Sequence, residues 1–124
     1  MNENKQILDE FGELVVKNVF DTEYRFILNK VEDLAKTEGY KNLFKEMNSV
    51  QKKEIEYYTR ELLKGTIFDF LKIFEENTQF KIVYDKNGSL IDLEEISEML
   101  KAELIIENGW LARFSKEIDK DEIL

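Results

Sequence analysis

The sequence predicts an α+β domain that is mostly helical and carries one β-hairpin at about residues 80–91. The chain has no proline and only five glycines, so long helices can form without the steric break that proline introduces. Apolar residues recur every three or four positions over most of the chain, which is typical of amphipathic helices. Around Asn87-Gly88 this period changes to alternation, which is the strongest short-range signal for a hairpin.

The N-terminal part of the chain predicts two amphipathic helices. The first has apolar residues at helical spacing between Ile7 and Val15. Asp21 lies where the N-cap of the second helix is expected, because its short carboxylate can accept a hydrogen bond from a free backbone N–H group. The apolar stripe of that helix covers residues 24–35. Gly39 then lies where a residue of left-handed conformation would end it.

A longer helix is predicted over residues 50–76, after a short helical turn or loop at residues 40–47. Asn48 and Gln51 have the spacing of a capping box, in which two side chains satisfy backbone N–H groups reciprocally. Gly65 lies where the apolar stripe of this helix shifts, and a glycine there costs about 1 kcal/mol relative to alanine. A bend or a close helix crossing would explain its presence.

The segments after the long helix complete the fold prediction. A two-residue turn in the hairpin places Tyr84 opposite Ile91. A second capping-box spacing after the hairpin predicts a helix that Asn108-Gly109 ends. Residues 110–118 fit a helix or a strand, and the helix is favoured because its charged side chains then gather on one side. The predicted core comprises Phe11, Ile27, Val31, Leu34, Leu62, Phe70, Ile73, Ile82, Ile96, Leu100 and Trp110.

One domain is expected to account for residues 1–124, with the last few residues, 119–124, loose. The chain length of 124 residues is typical of a single domain. No apolar run is long enough to span a membrane. The N-terminus lacks the basic and apolar regions of a secretion signal. We therefore expect a cytoplasmic protein.

The charge balance indicates which partners the protein favours. Eighteen Lys and Arg residues against twenty-seven Asp and Glu residues leave a formal net charge of −9. Binding of nucleic acid relies on cationic groups that neutralise phosphates, so an acidic domain opposes it. Anionic membrane surfaces are disfavoured for the same reason. The expected partner is therefore a basic protein, since complementary fields accelerate association.

An acidic loop at residues 85–95 is a candidate metal site. Asp85, Asn87, Asp92 and Glu95 offer oxygen ligands for a divalent cation, and the loop resembles a calcium-binding EF-hand loop. Its spacing departs from that pattern, because Ile96 stands at the twelfth position, where a bidentate glutamate is required. A plain hairpin followed by a capped helix, with no metal and no cofactor, is the favoured interpretation. A divalent-metal-binding protein is kept as an alternative.

The chain has few side chains that could act in catalysis. There is no cysteine and no histidine, which removes thiolate nucleophiles and the commonest general base. The pairs Glu10/Glu13 and Glu95/Glu98 resemble the acidic pairs that hold magnesium in all-α nucleotide pyrophosphohydrolases, but the facing glutamate–aspartate pair is not found. We therefore expect a non-enzymatic protein and assign no catalytic residue. A metal-dependent nucleotide hydrolase is kept as a further alternative.

Partner-binding residues are predicted from exposure and charge. Tyr57 and Tyr58 point about 100° apart on a helix, so one of them is expected to emerge from the core. An exposed tyrosine beside acidic residues is typical of an interface anchor. The predicted contact residues are Tyr57, Glu94, Glu95 and Glu98.

Residues 70–116 carry a pattern that resembles small uncharacterised bacterial proteins. The pattern consists of Phe70-Leu71, Glu75-Glu76-Asn77, Asp92-Leu93, Ile96-Ser97, Glu103-Leu104, Gly109-Trp110 and Arg113-Phe114-Ser115-Lys116. Proteins of this size and acidity resemble immunity proteins, which neutralise a neighbouring toxin by binding it. The resemblance implies that the shared residues are structural and that the acidic surface is the working part. The expectation is an acidic immunity or inhibitor protein that covers a basic site on its partner.

Overall fold

The structure, a computed structural model, describes residues 2–118 and is mostly helical. Its helices are α1 (Glu3–Val15), α2 (Asp21–Asn29), α3 (Val31–Leu34), α4 (Lys41–Lys45), α5 (Ser49–Glu76), α6 (Leu93–Ile96) and α7 (Trp110–Phe114). Strands β1 (Val83–Lys86) and β2 (Ser89–Asp92) form an antiparallel two-stranded sheet. The prediction of a mostly helical α+β domain with one hairpin is therefore confirmed. The tail predicted to be loose, residues 119–124, lies outside the described residues.

Helices α1 and α2 are joined without a break by a π-helical segment, Val16–Phe20. The backbone is helical at Phe20 and Asp21, so no helix start exists there for Asp21 to cap, and that prediction is wrong. Asp21 is instead buried. Its carboxylate accepts hydrogen bonds from the Ser115 hydroxyl at 2.7 Å and from the Lys116 backbone N–H at 2.9 Å. These bonds tie the start of α2 to the segment after α7.

The long helix α5 begins as its capping signal predicts. The Asn48 side chain accepts a hydrogen bond from the Gln51 backbone N–H at 2.8 Å, and the Gln51 side chain accepts one from the Asn48 N–H at 3.0 Å. Before it, Gly39 has a φ of 101° in the turn that leads to α4. The prediction of a close helix crossing at Gly65 is wrong, because a Cβ atom there would meet nothing within 4 Å.

The hairpin forms with the predicted register. Tyr84 pairs with Ile91. Asn87 and Gly88 have positive φ angles of 53° and 94°, as a two-residue turn of type I′ requires. The Asp85 carboxylate accepts a hydrogen bond from the Gly88 N–H at 2.7 Å and supports the turn.

The helix predicted after the hairpin starts as expected, with Asp92 as its N-cap, but it is much shorter than predicted. Helix α6 covers only Leu93–Ile96, and a 3-10 turn follows at Leu100–Ala102. Between them the buried Ser97 donates a hydrogen bond to the Glu103 carboxylate at 2.6 Å. Residues 110–118 contain the favoured helix in shortened form, since α7 ends at Phe114.

The core forms where α1, the π-helical segment, the second part of α5 and α7 meet. Trp110 is fully buried against Gly12, where a Cβ atom would lie 2.4 Å from the indole ring. Ile27, Leu100 and Trp110 are buried as predicted. Five further predicted core residues are half-buried: Phe11, Val31, Leu34, Ile82 and Ile96.

Three of the predicted core residues are exposed, which is a correction to the sequence prediction. Leu62, Phe70 and Ile73 lie on a face of α5 that the fold leaves outside. Ile67 and Leu71 occupy the inward face instead. The apolar residues of α5 cover more than one face, so their spacing alone does not select the buried one. In the described part of the chain, no helix is long and apolar enough to cross a membrane.

Candidate functional site

Two of the four residues proposed as metal ligands, Asp85 and Asp92, have other bonding partners in the structure. Asp85 supports the hairpin turn. Asp92 accepts a hydrogen bond from the Glu94 backbone N–H at 2.9 Å and forms an ion pair with Lys81 at 3.1 Å. Asn87 supplies the first residue of the turn, and Glu95 is exposed on α6. Among residues 2–118, no three acidic side chains are close enough to hold a metal ion together.

Tyr57 lies far from the other residues predicted to contact a partner. Its side chain is exposed, and the Arg60 guanidinium lies 4.6 Å from the centre of its ring. The neighbouring Tyr58 is exposed as well. Tyr57 lies about 27 Å along the axis of α5 from Glu75, at 1.5 Å per residue. The structure therefore does not bring Tyr57 together with the glutamates of α6.

Two of those glutamates line a cleft that we call the acidic cleft. It forms between the end of α5, the chain leading into β1, and the start of α6, with a volume of about 250 Å³. It is lined by Phe74, Glu75, Thr78, Phe80, Lys81, Asp92, Glu94 and Glu95. Glu98 is exposed beyond the end of α6 and is not part of this lining.

Glu94 is the most unusual group in the acidic cleft. Its Oε1 atom is buried and has no hydrogen-bond partner. Burial raises the pKa of Glu94, and the negative charges of Glu75 and Asp92 raise it further, while Lys101 acts in the opposite direction. The cleft therefore holds a carboxylate in surroundings that disfavour its charge. A cationic group placed in the cleft would stabilise the ionised form of this carboxylate.

The cations near the cleft are already engaged with other carboxylates. Lys81 pairs with Asp92, and Lys101 pairs with Glu75 at 3.1 Å. Within the described part of the chain, Glu94, Glu95 and Glu98 form no ion pair. These three carboxylates give this end of the molecule an unbalanced negative charge.

An aromatic wall adds a second kind of interaction to the acidic cleft. Phe80 is 59% exposed, and Phe74 is half-buried beside it in the lining. A guanidinium or ammonium group can lie over the face of an aromatic ring while it pairs with a carboxylate. The arrangement is therefore suited to binding a cationic side chain.

The sequence predicted three of the four carboxylates of this site, Asp92, Glu94 and Glu95, but neither Glu75 nor the aromatic wall. Phe80 fits the alternating pattern of the hairpin, which predicts an inward side chain, but it lies before β1 and is exposed. Glu75, at the end of α5, lines the cleft together with Glu94 and Glu95, although it is distant from them in the sequence. The only sequence signal for Glu75 is its place in the C-terminal pattern.

The chain matches no protein-family model, no curated protein and no solved structure. The resemblance of residues 70–116 to small bacterial proteins therefore stays a prediction.

Proposed function

We propose that the protein is a non-enzymatic binding module that covers a basic site on a partner protein, in the manner of an immunity or inhibitor protein. The observation that carries this proposal is the buried, unpaired oxygen of Glu94 in a cleft that also presents Phe80. An arginine or lysine side chain of the partner would pair with this carboxylate and lie against the ring. The net charge of −9 supports a basic partner.

The exposed carboxylates around the cleft contribute mainly to the rate of association. Glu95 and Glu98 remain in contact with solvent, where each charge adds little affinity but attracts an oppositely charged surface. Glu94 is partly desolvated before binding, so an ion pair there is less screened by salt. The proposal includes a cytoplasmic location, in which such an inhibitor would meet a toxin produced in the same cell.

The test compares two variants with equal changes in net charge. The site variant is E94Q/E95Q/E98Q, and the matched control, E10Q/E23Q/E32Q, changes three exposed glutamates outside the acidic cleft. Proteins captured from the native lysate at low salt by the unmodified chain identify the partner, which is then purified. Its dissociation constant for each variant is measured by calorimetry at low and at high salt.

We expect the site variant to bind at least about 10-fold more weakly and the control to change binding less than about 2-fold. Affinity for the unmodified chain should fall as salt rises. Equal weakening by both variants would show that net charge alone acts. An affinity that does not depend on salt would contradict the proposal.

A further inference from the structure

Residues 31–59, which we call the peripheral segment, contain α3, α4 and the first part of α5. None of these residues is buried. Large side chains with apolar surface are nevertheless exposed on it, at Tyr40, Leu43, Val50, Tyr57 and Tyr58. The peripheral segment therefore leaves large apolar side chains exposed, and where such side chains meet in a patch they mark interaction sites in soluble proteins.

Part of this surface forms a cleft between α4 and α5. The α4–α5 cleft has a volume of about 460 Å³, which is within the range of pockets that bind ligands. Its apolar lining comes from Leu43, Met47, Ile55 and Tyr58. Methionine and tyrosine suit a binding surface, since one adapts its shape and the other combines a large ring with a polar end.

The charged residues that line the α4–α5 cleft are all acidic. Glu46 and Glu54 are in its lining, both are exposed, and neither forms an ion pair with another described residue. Lys45 and Lys53 are their neighbours in sequence, but they do not line the cleft. No lysine or arginine of the described chain is part of its lining. Charge complementarity therefore selects an occupant with basic residues beside its apolar face.

The secondary structure around the cleft favours a partner that binds as a helix. One wall is α5, and the other is α4 with the residues that follow it, Glu46 and Met47. No strand occurs between residues 31 and 76, so a partner cannot be added as a further strand. The wall from Gln51 to Tyr58 is about 10 Å long, or two helical turns. A helix with apolar residues at positions i, i+3, i+4 and i+7 matches a groove of this length.

We propose that the α4–α5 cleft is a docking site for a basic amphipathic helix of a partner protein. Apolar side chains of that helix would contact Leu43, Ile55 and Tyr58, and its flanking lysine or arginine residues would face Glu46 and Glu54. A second copy of this chain is a poorer occupant, because a symmetric contact would bring the same carboxylates together. The inference extends beyond the acidic cleft and does not require that cleft to be occupied.

The probe for this proposal is a fluorescent Leu/Lys peptide of about 14 residues, with leucines at helical spacing. One control peptide has the same composition in scrambled order. Another keeps the leucine positions and replaces every lysine with glutamate. Fluorescence anisotropy measures the dissociation constant of each peptide for the full chain.

Matched variants locate the binding. L43S/Y58S removes two apolar side chains of the cleft, and L90S removes an exposed leucine of the hairpin that is outside it. E46Q/E54Q removes the two carboxylates. Since Leu43 and Tyr58 are 56% and 59% exposed, these variants should remain folded, and circular dichroism with thermal melting checks this point.

We expect the Leu/Lys peptide to bind and both control peptides to bind at least about 10-fold more weakly. L43S/Y58S should weaken binding about 10-fold or more, while L90S should leave it unchanged. E46Q/E54Q should weaken binding and reduce its salt dependence.

Three results would overturn the proposal: equal binding of the scrambled peptide, equal binding of the Leu/Glu peptide, or indifference to L43S/Y58S. A dimer in sedimentation that L43S/Y58S dissociates would assign the cleft to a second copy and overturn it as well. The variant E94Q/E95Q/E98Q should leave peptide binding within about 2-fold of the unmodified chain. The experiments therefore distinguish failure of the proposal for the acidic cleft from failure of the proposal for the α4–α5 cleft.

Discussion

The two parts of α5 have different surroundings, although they belong to one continuous helix. In the second part, Ile67 and Leu71 are buried and belong to the hydrophobic core. In the first part, Ser49–Thr59, no residue is buried. A capping box stabilises the start of this part. One helix therefore links the core to the peripheral segment.

The residues that stabilise the fold lie mainly outside the peripheral segment, whose exposed residues are available for binding. Burial of apolar surface is the main stabilising contribution to folding, and it is concentrated outside residues 31–59. Substitutions of exposed side chains usually change stability by less than about 0.5 kcal/mol. The peripheral segment can therefore vary its surface at little cost, whereas changes in the core should unfold the protein.

We expect the largest difference in stability between alanine substitutions at two glycines, one packed against a side chain and one with open space around it. In G12A, the new methyl group would meet the fully buried Trp110 ring, so we expect a loss of about 3 kcal/mol in the free energy of unfolding. In G65A, the methyl group meets nothing, and the better helix former should add about 0.5–1 kcal/mol. Urea denaturation of both variants measures the difference. Similar values for the two would contradict the packing of Trp110 on α1.

The next largest effect should come from the buried carboxylate of Asp21. D21A leaves the Ser115 hydroxyl and the Lys116 N–H without their acceptor, and we expect a loss of about 2 kcal/mol. D69A is the matched control, because Asp69 is exposed on α5 and its removal should cost less than about 0.5 kcal/mol. Thermal melting distinguishes the two variants. If D21A melts like D69A, the link between α2 and the segment after α7 contributes nothing to stability.

Sequence signals correctly predicted the structural elements that depend on interactions between residues close together in the chain. The capping box of Asn48 and Gln51 and the Asn87-Gly88 turn act over a few residues, and both appear as predicted. Asp21 shows the opposite case. Its type and position fit an N-cap, but a partner far along the chain, Ser115, uses the carboxylate instead. No short-range pattern carries that information.

The negative charge of the candidate site was predictable from the sequence, but the way its elements come together was not. The acidic residues of α6 are visible in the sequence, whereas the burial of Glu94 follows only from the folded structure. The same limit applies to the faces of α5. Phe70 and Ile67 fit apolar stripes equally well, and only tertiary packing decides that Ile67 is buried while Phe70 is exposed.

The smallest expected effects come from two carboxylates whose pKa values are shifted in opposite directions. A hydrogen bond from Arg113, at 2.8 Å, is the main cause that lowers the pKa of Asp9. The stabilisation from Asp9 is therefore present at neutral pH and is lost as the pH falls through its lowered pKa. D9N should cost about 1 kcal/mol at pH 7, and the difference from the unmodified chain should disappear in acid.

Glu94 should show the reverse dependence, because burial raises its pKa. The folded chain then holds this proton more tightly than the unfolded chain, so stability falls as the pH rises from the ordinary pKa to the raised one. E94Q should therefore stabilise the protein by a few tenths of a kcal/mol at pH 7. It should have no effect below about pH 4. Urea denaturation at several pH values checks both variants, and a destabilised E94Q at pH 7 would mean that Glu94 has a stabilising partner in solution. In that case the cleft is already satisfied within the chain, and a partner's cation would gain nothing from pairing with it.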